Sequence, residues 1–267
     1  MDFVTLVGVG LLTGVTTVLF GFGGGFVAVP VVVWADAALG ADAMRVATAT
    51  SALVMVVNAG FATVVTPRRV LFALRGSGRL LLLLAFGASA GALATRLASD
   101  DLAHWAFIAY VALTIADLLL RPGFLRPHAP VERESVDPRP LPSAFGAPIG
   151  AVAAFLGVGG SVMTVPAMRR AGHTMRVATA LANPLTLAIA LPATVVSLGV
   201  AAVPAAANAQ VHLVGLIDLR AASALLLGAL PVIAVLRRRP PRIPDRAHAW
   251  AYVALLGMVT VAMLLLA

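Results

Sequence analysis

The sequence has no cysteine and no lysine. Without cysteine it can form neither disulfides nor thiolate metal sites, and it says little about redox compartment. All 19 basic residues are arginine. A GC-rich coding bias explains that more simply than a demand for guanidinium. Charge of either sign is scarce: charged residues make up 11% of the chain and hydrophobic ones 61%. Mean hydropathy is +1.00. Soluble domains carry about 25% charged residues, so this composition leaves little room for one. The five histidines (104, 128, 173, 212 and 248) show no metal-ligand spacing, and neither a metal nor a cofactor is expected. The opening Met1-Asp2-Phe3 carries no basic segment, which argues against a cleaved signal peptide. A net charge of +8 would suggest nucleic acid in a soluble protein. Here it reflects cytoplasmic loops facing anionic headgroups, and no nucleic-acid partner is expected.

Long uncharged runs are abundant instead. They cover residues 3–35, 46–67, 140–168, 177–217 and 247–267, with shorter ones at 80–95, 102–116 and 221–236. A helix needs about 20 apolar residues to cross the hydrocarbon core. These runs predict roughly eight membrane segments and an all-α polytopic membrane protein. The uncharged stretch 177–217 has room for an extra dip.

A repeat organises the chain. Gly10-x3-Gly14-x6-Gly21-x-Gly23-Gly24-x4-Val29-Pro30 recurs at identical spacing as Gly146-x3-Gly150-x6-Gly157-x-Gly159-Gly160-x4-Val165-Pro166. Met44-Arg45-Val46-Ala47-Thr48-Ala49 returns as Met175 to Ala180, and Ala62-Thr63-Val64-Val65 as Ala193 to Val196. The domains read as a first membrane repeat over 1–120, a polar linker over 121–143 with six prolines, and a second repeat over 144–267.

Arginine placement decides between topologies. Were all eight segments to cross, the two sides would receive nine and ten arginines, which is no bias. Suppose instead that the glycine-broken first segment of each half dips in and returns. Then 16 of the 19 arginines share one side, leaving Arg45, Arg96 and Arg220 opposite, with Asp2, Asp36, Asp42, Asp100, Asp101 and Asp218. The positive-inside rule prefers this arrangement. Each half then holds a re-entrant hairpin and three crossings, and the odd number inverts the second half relative to the first.

Glycine clusters inside apolar stretches are the best sequence pointer to a transport site. Glycine releases the chain from the helix and lets other groups approach the backbone. The half-helices starting near Phe26 and Ser161 would aim free N–H groups and positive dipole ends at each break, a cradle for an anion. Candidate substrate-binding residues are Gly21, Gly23, Gly24, Gly25 and Phe26 in the first break, and Gly157, Gly159, Gly160 and Ser161 in the second. The following helices add polar stripes. Thr48, Ser51, Met55 and Asn58 lie on one helical face, as do Thr179, Asn183 and Thr186. Hydroxyls and amides there suit oxyanion oxygens, with Thr48, Ser51, Asn58, Thr179 and Asn183 as candidates. Interhelical hydrogen bonding is the competing reading. Arg45 and Arg176 occupy matching positions, as pathway-mouth charges or as plain interfacial anchors. Gly10, Gly14, Gly87, Gly91, Gly146 and Gly150 read as helix-packing positions. Asp117 reads as an i, i+4 partner of Arg121, with proton coupling as the other reading.

The strings GFGGGFVAVP with ATATSA, and GVGGSVMTVP with ATALAN, resemble the TauE/SafE family of membrane permeases, over nearly the whole chain. The second copy departs from the pattern, with Ser161 for the third glycine and Ala182-Asn183 where the first copy has Ser51-Ala52. The resemblance implies anion transport, frequently of sulfur compounds, and its name suggests export of sulfite or an organosulfonate. The expected protein is thus a secondary transporter in a bacterial inner membrane, with a small anionic substrate and the lipid bilayer as partners. A proton or sodium as coupling ion and a homodimer are the further partners considered. A passive anion channel is the alternative, and a membrane-embedded enzyme the lesser one. No catalytic residue is assigned.

Overall fold

The computed structural model describes residues 2–125, 142–199 and 212–266, and nearly all of them are helical. Helix α1 (Phe3–Phe20) is followed by a break and by the half-length α2 (Gly25–Ala35). A 3-10 turn at Ala37–Asp42 leads into α3 (Ala43–Val64). The short α4 (Arg68–Leu71) and its 3-10 extension meet α5 (Gly78–Ala94) at a bend of 77°. Helix α6 (Asp100–Leu120) closes the first half. The second half runs α7 (Gly146–Leu156), α8 (Ser161–Arg170), α9 (Met175–Leu198), α10 (Leu219–Arg238) and α11 (Asp245–Leu265). Six of these helices (α1, α3, α6, α9, α10 and α11) are long and apolar enough to cross a membrane, and the bent α4–α5 pair makes a seventh. Helices α2 and α7 are shorter apolar elements.

The all-α expectation misses one detail: Leu213–Val214 and Ile217–Asp218 form a two-residue antiparallel ribbon before α10. Its Asp218 N–H donates to Thr50 Oγ1 (2.9 Å), which ties the turn to α3. Most of the linker expected at 121–143 lies outside the described residues, as does 200–211 within the 177–217 stretch that has room for an extra dip.

Caps mark where several helices begin. Ser99 Oγ accepts from Leu102 N at the start of α6, Thr174 Oγ1 from Val177 N at the start of α9, and Asp218 from Arg220 N and Ala221 N at the start of α10. Each satisfies an amide that the first helical turn leaves unpaired. Five prolines sit inside helices, Pro30 in α2, Pro166 in α8, Pro184 and Pro192 in α9, and Pro231 in α10. Neighbouring helices make such positions tolerable in lipid.

Helix ends define two ends of the bundle, and we call the end where α3 starts the upper one. There Met44 N donates to Asp100 Oδ2 (3.2 Å), Arg45 donates to Ala98 O (2.7 Å), and Arg96 to Val196 O at the end of α9 (2.7 Å). At the lower end Met175 N donates to Asp245 Oδ1 (2.9 Å), Arg170 pairs with Asp117 (2.6 Å), and Arg169 pairs with Asp245. Asp100 and Asp245 therefore do the same job at opposite ends, each capping the long helix that follows a half-helix.

Small residues let the hairpin helices pack closely on the other half. Gly10 and Gly14 of α1 lie against Leu225 and Ala229 of α10. Gly87 and Gly91 of α5 lie against Ala147 and Ala151 of α7. In both pairs the numbering rises together, so the helices run parallel. Helix α1 descends beside α10 until its Leu19 carbonyl meets the His248 ring, one turn into α11 at the lower end. Helix α2 then returns upward to the turn that packs against α3 and α6. Helix α7 rises beside α5, and α8 comes back down to the Arg170–Asp117 pair.

Candidate functional site

The two breaks end at the same depth. Gly21, Gly23 and Gly24 have φ of 76°, 62° and 83°, and Gly157 and Gly159 have 69° and 70°. These left-handed values are open to glycine at little cost. They turn the chain between α1 and α2 and between α7 and α8 without a longer loop. A Cβ on Gly23 would lie 3.0 Å from Thr186 Cγ2 and 3.2 Å from Met55 Cγ. A Cβ on Gly159 would lie 2.9 Å from the same Thr186 methyl and 2.9 Å from Met55 Sδ. Residues 136 positions apart thus meet across one pair of side chains. Met55 and Thr186 each sit near the middle of a long helix, α3 and α9.

The candidates divide around this centre. Gly24 abuts Asn58, whose Nδ2 would be 2.8 Å from a Cβ there. Gly21 abuts the Thr179 carbonyl, and its own carbonyl accepts from Thr186 Oγ1 at 3.4 Å. Gly157 lies against Thr48, and its carbonyl accepts from Ser51 Oγ at 2.9 Å. Each break is therefore tied to the helix of the other half as well as its own.

Several polar side chains here are buried with unpaired atoms. Both side-chain polar atoms of Asn58, the Thr48, Ser161 and Thr164 hydroxyls and the Asn183 carbonyl oxygen have no hydrogen-bond partner among the described residues. Asn58, Asn183 and Ser161 are fully buried. Leaving such a group unpaired costs about 1–3 kcal/mol. Asn183 Nδ2 donates one hydrogen back to Thr179 O (3.2 Å), which leaves its second N–H as a further donor. Helix N-termini also leave their first N–H groups without intrahelical partners, and α2 and α8 both start at this depth. Hydroxyls, amides and first-turn N–H groups are the donor set that an oxyanion needs.

Not every candidate belongs to this centre. Phe26 is buried in an aromatic stack, with Phe22 at 4.8 Å and Phe107 at 5.9 Å between ring centroids, and anchors α2 instead. Gly25 and Gly160 have no positive φ; Gly25 opens α2, and Gly160 precedes α8 in helical conformation. Their need for glycine is steric: Met55 crowds Gly25, and Ile189 Cδ1 would be 2.6 Å from a Cβ on Gly160. Arg45 reaches Asp42 (3.4 Å) and the Ala98 carbonyl at the upper end, a fastening between α3 and the α5–α6 turn. Arg176 lines a cavity at the lower end. Asp117 pairs with Arg121 (3.1 Å) and also with Arg170, a tie across 53 residues that local spacing does not predict.

The sequence reading also missed residues. Thr13 and Thr17, one turn apart on α1, face Gly24, and Thr164 sits beside Gly160. Helical spacing of the two threonines was the available signal. Tyr252 OH donates to Ser161 O (3.1 Å) and holds the start of α8 from α11.

Apolar helices of membrane-spanning length, with two glycine breaks meeting between them, define an integral membrane protein. The chain belongs to the sulfite exporter TauE/SafE family, whose sequence model matches residues 6–263. That family comprises membrane transporters rather than enzymes, and membership implies a small anionic substrate. Searches of curated proteins and of solved structures gave no match.

Proposed function

We propose that the protein is a secondary transporter of a small oxyanion, sulfite or an organosulfonate, bound between the two glycine breaks and exported across a bacterial inner membrane. The observation that carries this reading is the cluster of unpaired, buried donors around two helix N-termini at one depth. Asn58 beside Gly24, Ser161 at the start of α8, and Thr48 beside Gly157 would orient the oxygens, and Asn183 would join them through its second N–H. First-turn N–H groups of α2 and α8 would meet the charge. Met55 and Thr186 would part to admit it. Export and the sulfur chemistry rest on the family's name.

The halves are read as inverted repeats, each a re-entrant hairpin with three crossings, and the packing supports this. Exchanging the halves maps the α1–α10 contact onto α7–α5 and the Asp100 cap onto the Asp245 cap. Arg69, Arg170, Arg176 and Arg237 gather at the lower end, which the positive-inside rule assigns to the cytoplasm. Rocking of the halves would expose the centre to either side in turn.

Counterflow of labelled sulfite and taurine into proteoliposomes tests the function. Saturable uptake driven by unlabelled substrate inside is the expected result. Uptake without counterflow would make the protein a channel. No flux with sulfite, thiosulfate, taurine or sulfoacetate would remove the assigned substrate class.

A further inference from the structure

The lower end holds a cavity of about 380 Å3 between α1, the α3–α4 turn, α9, α10 and the start of α11. Its inner end is formed by Leu19 and Thr179, and Thr179 is the residue whose carbonyl abuts Gly21. Among the described residues, its walls carry three guanidinium groups, Arg69, Arg176 and Arg237, and no carboxylate. Arg237 is the unusual one. Its Nε and one terminal nitrogen are buried and have no hydrogen-bond partner among the described residues. Buried, unpaired donors on a cation cost free energy unless an anion meets them. Most of the remaining lining is apolar, chiefly valine, leucine, isoleucine and proline, with Thr66, Thr179 and His248 as its uncharged polar members.

We propose that this cavity is an antechamber of the transport pathway, in which Arg237, supported by Arg176 and Arg69, holds an organic oxyanion by its charged head. The apolar walls take a short carbon body. The assignment rests on the transporter reading above. It adds a second site, nearer the lower face than the glycine breaks and open to that face. A forked guanidinium suits two oxygens of one head at once, which an ammonium cannot match. The same chemistry describes an anionic lipid headgroup, so the test must separate the two sources.

The test measures binding of 1-butanesulfonate and of sulfate to the full-length protein in phosphatidylcholine nanodiscs by calorimetry. Wild type is expected to bind butanesulfonate at least tenfold more tightly than sulfate. R237Q should weaken butanesulfonate at least tenfold, and R237K should fall between. Unliganded R237Q should melt no lower than wild type, because the lost donors had no partner. Equal binding by wild type and R237Q would overturn the proposal, and so would a lower melting temperature for unliganded R237Q. Sulfate binding as tightly as butanesulfonate would remove the apolar pocket from it. Loss of the probe in discs containing phosphatidylglycerol would make the cavity a lipid site and refute its place in the pathway. G159A separates this site from the central one: it should abolish counterflow and leave the R237Q-sensitive part of butanesulfonate binding in place. Binding in a wild type that moves no substrate would sink the transporter reading alone.

Discussion

Meeting of the two breaks on one pair of side chains predicts energetic coupling between Gly23 and Gly159. In the variant G23A the alanine must hold a φ near 62°, which costs about 1–2 kcal/mol. Its methyl also presses on Thr186 Cγ2 at 3.0 Å and Met55 Cγ at 3.2 Å. Overpacking of this kind adds about 1–3 kcal/mol, so each single variant should lose about 2–5 kcal/mol. G159A presses on the same methyl and on Met55 Sδ, both at 2.9 Å. In either single variant, Thr186 and Met55 can relax toward the unmodified break. In the double variant that space is taken from both sides. The double variant should therefore lose about 1 kcal/mol or more beyond the sum of the singles, within the range for residues in contact. Reversible unfolding in mixed detergent micelles, followed by circular dichroism, gives the four free energies. Repeating the cycle with T186S, which lacks the shared methyl, should shrink the coupling. Additivity within about 0.5 kcal/mol would mean that the breaks do not touch a common pair, and the central site would fall with it.

S51A removes the donor to Gly157 O and leaves that carbonyl unpaired, at an expected cost of about 1–3 kcal/mol in the same unfolding assay. D245A strips the partner of the buried Arg169 and the cap of α9 together. It should cost about 3 kcal/mol or more, and more than the corresponding change at the exposed member of the Asp117–Arg121 pair. At the upper end, burial and then the nearby Asp218 carboxylate push the Asp36 carboxyl up to about 7, with Arg220 pulling the other way. A raised pKa means that the folded state holds the proton more tightly, so this stabilisation is complete below about pH 4 and lost as pH rises through 7. D36N should therefore melt higher than wild type at pH 8 and show little difference at pH 4. A gap independent of pH would refute this account.

Much of the fold was legible because membrane constraints leave few choices. Runs such as 46–67 and 247–267 coincide with α3 and α11, since an apolar stretch of that length has only the helix open to it. The repeated glycine strings located both breaks, because φ near 70° is a property of residue type. The donors around them were readable from spacing, as Thr48, Ser51 and Asn58 show. Contacts between distant residues were not. Nothing local announces that Arg170 reaches Asp117 or that Tyr252 holds Ser161, and the spacing of Thr13 and Thr17 shows a shared face without showing that it meets Gly24. The packing of Phe26 was hidden for the same reason. Its neighbours Phe22 and Phe107 make it an anchor, and Phe107 lies in another helix. The ribbon at 213–218 is too short for alternating hydrophobicity to show.

The close crossing of α1 with α10 and of α7 with α5 bears on ancestry. Each hairpin buries its small-residue face on a helix from the opposite half, so neither half would be closed alone. A polypeptide of one half could cover its hairpin only by lending it to a second copy and borrowing one in return. If the halves are inverted, as proposed above, that second copy would have been inserted the other way up. Such an ancestor needs chains of both orientations in one bilayer, hence near-balanced arginine at its two ends. Fusion into one chain would lift that requirement and let each end acquire its own charge, as the present arginine placement suggests.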